Sequence, residues 1–152
     1  MHILVMNGPN LNFLGKRDHQ IYGNFTLEML CEKIEARAIE LSVTVTFHQS
    51  NAEGTLIDFV QENAANCDGI IVNAGALTHY GYALRDALDD AGVPIIEVHI
   101  SNIYAREEWR HRSVIASIAK GQITGLGWRG YLHALENLVF EESNLELGEN
   151  KI

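Results

Sequence analysis

The sequence predicts a single α/β domain in which helices cover both faces of an open, parallel sheet of five strands. Two observations predict this class. Short apolar runs alternate along the 152 residues with stretches whose apolar side chains recur at helical spacing. The runs at residues 3–6 and 69–72 are apolar without alternation, which is typical of strands buried on both faces.

The first predicted strand, residues 3–6, leads into an unusually long connection. Thr26 can cap the next helix, so the connection has roughly 18 residues, whereas strand-to-helix loops usually have about 2–6. A loop of this length inside a compact domain is usually functional or disordered. This loop carries amides, cations, an acid and a tyrosine, which indicates a chemical site rather than a spacer.

The remaining elements follow in order. Helical spacing continues to Leu41, and residues 43–47 alternate as in a strand near the sheet edge. We predict a helix over residues 53–66, a strand over 69–72, a helix after His79 that ends before Pro94, and a strand over 95–98. A short helix around residues 106–110, a weak strand at 121–124 and a last helix after Gly127 complete one domain, residues 1–140. The acidic tail, residues 141–152, is expected to fray.

Right-handed crossovers in such a chain favour the flavodoxin-like strand order 2-1-3-4-5. Ligands of open α/β sheets bind at the carboxyl ends of the strands, near the point where the order reverses. Polar side chains stand at the ends of four predicted strands, namely Asn7, His48 with Gln49, Asn73 and His99. The sequence therefore predicts the site at this edge of the sheet.

Composition and charge exclude several classes of protein. A net charge of −9 argues against non-specific binding of nucleic acid. The sequence has no apolar run near the ~18 residues that a membrane span needs, and it starts with a strand pattern rather than a signal peptide. Cys31 and Cys67 fall in helical patterns. We therefore expect a cytoplasmic protein with reduced thiols.

Five of the 11 Lys and Arg residues lie in two short stretches, residues 16–17 and 106–112. A local cationic patch on an acidic protein points to a small anionic ligand. On charge alone, a set of solvated helix ends explains the same clustering equally well.

Several common motifs fail. Gly8 and Gly15 are too far apart for a phosphate loop, and Arg17 stands where a serine or threonine would hold magnesium. Asn7 and Asn73 replace the carboxylates of a phosphoacceptor receiver domain, and the sequence has neither HExxH nor GxSxG. We therefore expect a site without metal, cofactor or serine nucleophile.

The titratable candidates that remain fit acid–base chemistry on a polar carboxylate substrate. They are Tyr22, His79, His99, Arg17, Arg106 and Arg110. A free tyrosine titrates near ~10, so ionisation at neutral pH costs roughly 4 kcal/mol. One close cation lowers a pKa by about 1–3, and Arg17 with Arg106 could supply the shift. The residues alone also allow a surface-packed Tyr22 and a His99 that is a buried, hydrogen-bonded strand end.

Three separated motifs resemble those of the type II 3-dehydroquinate dehydratases. The first is Asn-Gly-Pro-Asn-Leu-Asn-Phe-Leu-Gly at residues 7–15, followed by Arg17 and Tyr22. The second is Asn-Ala-Gly-Ala-Leu-Thr-His at 73–79, and the third is Glu-Val-His-Ile-Ser-Asn at 97–102 with Ala-Arg-Glu-Glu-Trp-Arg at 105–110. The resemblance extends from Met1 to about Phe140.

The resemblance implies a flavodoxin-like hydro-lyase of the shikimate pathway, which leads to chorismate and the aromatic amino acids. Such an enzyme converts 3-dehydroquinate to 3-dehydroshikimate and water by anti elimination through an enolate, without metal or cofactor. It is expected to act on this small polyhydroxy carboxylate as a homododecamer, a tetramer of trimers, with no nucleic-acid or membrane partner.

The resemblance also implies roles for individual residues. Tyr22 would remove the C2 proton, His99 would protonate the departing hydroxyl, Asn10 would hold a water on the enolate oxygen, and Arg17 would lie on a mobile lid. Substrate would be bound by Ser101 with the backbone of Ile100, by Asn73, His79 and Arg110, and by Asp86 reaching toward the lid of a neighbouring subunit. Supporting roles would fall to Arg106, Glu97, Gly75 and Ala76.

Asp18, His19, the Tyr80-Gly81 pair and Trp109 depart from the usual pattern of the family. At residue 19 a histidine replaces the usual proline, so φ is no longer fixed there and we expect a looser lid. The competing reading is a non-catalytic binding module for a small polyhydroxy acid on the same scaffold. A receiver-like or flavin-binding domain is a more distant alternative.

Overall fold

The computed structural model describes residues 1–16 and 24–146, with the backbone alone for residues 141–146. The strands are β1 (His2–Asn7), β2 (Thr44–Gln49), β3 (Gly69–Asn73), β4 (Ile95–His99) and β5 (Gly121–Thr124). The α-helices are α1 (Leu27–Glu40), α2 (Glu53–Asn63), α3 (Tyr82–Asp90) and α4 (Arg129–Glu146). Short 3₁₀ turns lie at Leu11–Phe13, Ala64–Asn66, Gly75–His79, Ile103–Ala105 and Glu108–Arg110.

The strands form one parallel sheet in the order β2-β1-β3-β4-β5, which confirms the predicted fold and order. The register places the polar strand ends side by side. Asn7 is paired with Gln49 on one side and with Asn73 on the other, and His99 is paired with Thr124. The carboxyl edge of the sheet is therefore polar where its interior is apolar.

Each face of the sheet has its own apolar core, which explains the continuous apolar runs in the central strands. On one face α1 and α4 cover Ile3, Val5 and Ile71. On the other face α2 and α3 cover Leu4 and Met6. β2 lies at an edge and is half-buried over most of its length, as its alternating sequence predicts.

Of the predictions for the helices, the cap at Thr26 is confirmed and three others are corrected. The Thr26 side chain accepts a hydrogen bond from the Met29 amide at 3.2 Å, so the predicted cap is confirmed. The helix predicted over residues 53–66 ends at Asn63, and a 3₁₀ turn replaces its last residues because the chain tightens before β3. In place of the helix predicted at residues 106–110 there is a 3₁₀ turn at Glu108–Arg110, preceded by another at Ile103–Ala105. The backbone of α4 continues to Glu146, past the point where fraying was expected.

Two glycines let the loops after β1 and β3 approach each other closely. The Gly8 amide donates to the Asn73 carbonyl at 2.8 Å, and a Cβ at Gly8 would lie 2.6 Å from the Ala74 carbonyl carbon. Gly75 has a φ of +58°, and a Cβ there would lie 2.9 Å from the Pro9 carbonyl oxygen. Side chains larger than glycine would separate the two loops, which together build one wall of the site described below.

Among the described helices, none has both the length and the apolar character that a membrane crossing requires.

Candidate active site

A cleft lies where the carboxyl ends of β1, β3 and β4 meet, at the predicted edge of the sheet. Its volume is about 160 Å³, well above the ~10–15 Å³ that one water needs, so it can hold a small molecule. Ten of the residues predicted for the site line it: Asn10, Asn73, Gly75, Ala76, His79, His99, Ile100, Ser101, Arg106 and Arg110.

A buried histidine–glutamate pair on β4 lies at this cleft. Glu97 and His99 are two residues apart on one strand, so their side chains lie on the same face of the sheet. His99 Nε2 is 2.8 Å from Glu97 Oε1, and the two side chains are 6% and 0% exposed. Because an ionised carboxylate only accepts hydrogen bonds, Nε2 carries the proton of this contact. Nδ1 is then the ring nitrogen that can act on a molecule in the cleft.

Three neutral side chains also donate hydrogen bonds to the Glu97 carboxylate. They are the hydroxyls of Thr78 and Ser113 and the amide of Gln122. Burial raises the pKa of Glu97, but the contacts with His99, Thr78 and Ser113 outweigh burial and hold that pKa below its ordinary value. Glu97 is therefore an ionised carboxylate without exposure to solvent, and its contact with Nε2 orients the His99 ring.

A second buried network joins the ends of β1 and β3 to α4. The Tyr131 hydroxyl donates to Asn7 Oδ1 at 2.7 Å and accepts from Asn73 Nδ2 at 2.8 Å. Asn73 Oδ1 in turn accepts from the Gly75 amide at 3.2 Å. Burial raises the pKa of Tyr131, so its hydroxyl stays protonated. The network leaves Asn73 little freedom at the wall of the cleft.

Two arginines supply the positive charge of the cleft. Arg106 Nη1 donates to Ser101 Oγ at 3.2 Å. Arg110 Nε donates to Glu107 at 2.7 Å, and its guanidinium stacks 4.0 Å from the Trp109 ring. The Arg110 contact lowers the pKa of Glu107 to about 2, so this anchor stays ionised at neutral pH.

His79 faces the cleft as a neutral ring. Its Nδ1 lies 2.8 Å from the Arg112 carbonyl, so Nδ1 carries the proton and Nε2 can accept a hydrogen bond. Burial is the main cause that lowers the pKa of His79, and the nearby His99 and Arg110 add to it. The Trp109 ring packs edge-on against His79 at 5.1 Å. A hydroxyl group of a ligand is the natural partner for Nε2.

The remaining predicted residues lie elsewhere. Asp86 is exposed, pairs with Arg85 at 2.9 Å, and lies in a separate shallow cleft with Arg112 and Ser113. Tyr22 and Arg17, with the predicted lid, lie outside the residues that the structure describes.

Asn10 has left-handed backbone (φ 68°), and its amide donates to Asn51 Oδ1 at 2.9 Å. Asn10 is exposed at the cleft, with its side chain free of a helix-capping role. In the described part of the chain, His, Cys, Asp and Glu side chains form no group of three that could hold a metal.

Sequence reasoning did not assign a role at the site to Thr78, Ser113 or Gln122, or to the hydroxyl of Tyr131. Gln122 could have been found, because β5 pairs in parallel with β4 and places Gln122 opposite Glu97. Ser113 lies in an irregular segment after the Glu108–Arg110 turn, where no periodic pattern indicates direction.

Comparison with known proteins identifies one family. A family model described as "Dehydroquinase class II" matches residues 1–139. A 3-dehydroquinate dehydratase of Roseiflexus castenholzii is 58% identical, covering 91% of this chain and 88% of the relative. One from Halothermothrix orenii is 56% identical over 90% of this chain and 93% of the relative. The crystal structure of a type II dehydroquinase from Butyrivibrio crossotus superposes with a TM-score of 0.89 at 50% identity, covering 91% of this chain and 97% of that chain.

Proposed function

The chain belongs to the class II dehydroquinase family, and on that premise we propose that it dehydrates 3-dehydroquinate to 3-dehydroshikimate in the shikimate pathway. The observation that carries the proposal is the buried Glu97–His99 pair at a cleft lined by two arginines. An imidazole held by a buried carboxylate is suited to acid–base chemistry, and the arginines are suited to an anionic substrate.

The proposed reaction consists of two proton transfers. The Tyr22 oxyanion removes the C2 proton, and the electrons of that bond form an enolate. The enolate then re-forms the carbonyl and a carbon–carbon double bond while the neighbouring carbon–oxygen bond breaks. His99 gives the leaving hydroxyl its proton from Nδ1, so water departs, and solvent returns the tyrosine proton to His99. The elimination involves no net oxidation or reduction, so the two proton transfers by tyrosine and histidine balance the reaction.

Tyr22 is assigned as base by its place in the family motif. An ionised tyrosine at neutral pH needs its pKa lowered by about 3 from its usual ~10. Arg106 lies in the cleft, and Arg17 is adjacent to the same motif. Since each close cation lowers a pKa by about 1–3, the two guanidiniums are sufficient in principle. Arg17→Ala should therefore raise the pKa that governs the rate profile.

We propose that two groups of cleft residues bind the substrate, one its carboxylate and the other its ring hydroxyls. Ser101, which Arg106 contacts, and the backbone of Ile100 would bind the carboxylate. Asn73, His79 and Arg110 would hold the ring hydroxyls, consistent with the fixed amide of Asn73 and the neutral ring of His79. Asn10 would hold a water near the enolate oxygen.

A direct assay tests the proposal against its main competitor. We expect added 3-dehydroquinate to yield a conjugated enone, which is measured by its near-ultraviolet absorbance. His99→Ala should bind the substrate and produce the enone far more slowly, by about 10²–10⁴-fold. Saturable binding to the unmodified protein without any enone would instead identify a binding module.

We further propose that the enzyme works in the cytoplasm as a closed oligomer, the homododecamer (a tetramer of trimers) that the family resemblance implies. Asp86 supports this, because it is exposed and does not line the cleft of its own subunit. By the family resemblance, Asp86 would reach toward the lid of a neighbouring subunit. Folded but dissociated subunits should lose activity, and light scattering that finds a fully active monomer would contradict the proposal.

A further inference from the structure

We propose that Ser113 is a positioning residue for the dehydration, and that it acts through the Glu97 carboxylate on His99. The inference rests on the proposed function, because it assigns His99 the role of acid. Ser113 lies outside the lining of the cleft, so it does not touch the substrate.

The first observation is the way in which Ser113 contacts Glu97. Its Oγ lies 2.8 Å from Oε1 and 2.9 Å from Oε2. Thr78 and Gln122 each contact one carboxylate oxygen. Because a donor placed between both oxygens resists rotation of the carboxylate about its bond, Ser113 fixes the plane in which Oε1 meets His99.

The second observation is that the Ser113 hydroxyl is itself fixed. Its oxygen accepts hydrogen bonds from the amides of Ile115 at 3.1 Å and Ala116 at 2.9 Å. A serine hydroxyl has two acceptor sites and one hydrogen. With both acceptor sites occupied by backbone amides, the hydrogen is directed at the carboxylate, and the two amides polarise it.

The third observation is the charge balance around Glu97. Its titratable neighbour in hydrogen-bonding contact is His99, and His79 lies near enough to interact with both. The other described contacts, from Thr78, Ser113 and Gln122, are neutral donors. Together with His99, these neutral donors compensate for the burial of the carboxylate, and among the described contacts Ser113 alone reaches both oxygens.

The consequence is a specific division of effects. Without the Ser113 hydroxyl, Glu97 should ionise at higher pH and hold the His99 ring less firmly. Proton removal from C2 does not use His99, so it should continue. The defect should therefore appear in the step that expels the hydroxyl.

The test compares Ser113→Ala with Ser113→Thr, which keeps the hydroxyl. Ser117→Ala is the matched control, because the Ser117 hydroxyl contacts the Val114 carbonyl at 3.3 Å and not Glu97. We expect Ser113→Ala to lower kcat about 10-fold or more, with KM within about twofold, while C2 proton exchange in deuterated water continues. Ser113→Thr should recover most of kcat, and Ser117→Ala should match the parent enzyme.

A merely structural role for Ser113 would give a different result. Local unfolding would lower exchange and turnover in the same proportion, and that outcome would overturn the proposal. An unchanged kcat in a well-folded Ser113→Ala enzyme would overturn it as well.

A second measurement does not depend on turnover. The carboxyl carbon of Glu97, followed by NMR against pH, should show a pKa about one unit higher in Ser113→Ala than in the parent, since two to three donors lower a carboxyl pKa by ~2. An unchanged titration would refute the role of Ser113 even if the chain acted on another substrate. Failure of the parent protein to dehydrate 3-dehydroquinate, with the titration shifted, would refute the proposed function alone.

Discussion

Removing the Tyr131 hydroxyl should destabilise the fold, because it breaks the network that joins β1, β3 and α4. The ring of Tyr131 is fully buried, and Asn7 and Asn73 are 1% and 4% exposed, so water cannot easily replace the lost contacts. Tyr131→Phe keeps the ring and leaves the side-chain oxygen of Asn7 (Oδ1) and the side-chain nitrogen of Asn73 (Nδ2) without their shared partner. Each buried polar group left unpaired costs about 1–3 kcal/mol of stability. Because the surrounding side chains can relax in part, we expect the free energy of unfolding to fall by about 2–4 kcal/mol.

Urea and thermal unfolding at fixed protein concentration measure this loss. For a chain of this size, about 2–4 kcal/mol corresponds to a decrease in Tm of roughly 4–16 °C. Tyr80→Phe is the matched control, because Tyr80 is 59% exposed, and it should stay within about 0.5 kcal/mol of the parent. A Tyr131→Phe protein equally close to the parent would refute the view that this network stabilises the strand ends.

Three further changes have predicted outcomes. The folded-state pKa of Glu97 lies below 4.5, so its ionised form stabilises the protein above pH 4.5 and this contribution is lost as the pH falls through the folded pKa. Urea titrations from about pH 6 to about pH 3 should therefore show a steeper loss of stability in the parent than in Glu97→Gln. Gly8→Ala should lower the free energy of unfolding by about 1–3 kcal/mol, because the new Cβ would clash with the backbone of Ala74. In the same unfolding assay the control Gly54→Ala, whose new Cβ would have nothing within 4 Å, should be neutral or stabilise the protein by up to ~1 kcal/mol. Glu107→Gln should release Arg110 and raise KM about 2- to 5-fold with kcat nearly unchanged; an equal fall in kcat would instead mean that Arg110 acts in the transition state.

The sheet could be predicted from the sequence because burial on two faces leaves a direct pattern. Continuous apolar runs identify central strands, and the polar residue that ends each run identifies the edge where ligands bind. Asn7, Asn73 and His99 were placed in this way, and the register brings Asn7 and Asn73 together as neighbours. The order of the strands followed from the same alternation of strands and helices.

The hydrogen-bond partners could not be predicted, because they depend on contacts between distant parts of the chain. Tyr131 is expected on the inner face of α4, yet its hydroxyl meets Asn7, which is 124 residues away. Ser113 contacts Glu97 from an irregular segment, where no period fixes the direction of a side chain. The 3₁₀ turn at Glu108–Arg110 was predicted as a helix because short stretches do not distinguish the two hydrogen-bond patterns.

The central claim is that Tyr22 removes the C2 proton and His99 later protonates the leaving hydroxyl. Exchange of the C2 proton of 3-dehydroquinate in deuterated water, followed for both variants, tests it most directly. We predict that Tyr22→Phe binds the substrate without exchanging the proton, whereas His99→Ala forms product very slowly but still exchanges it through the enolate. Exchange that persists in Tyr22→Phe would contradict the assignment of Tyr22 as the base.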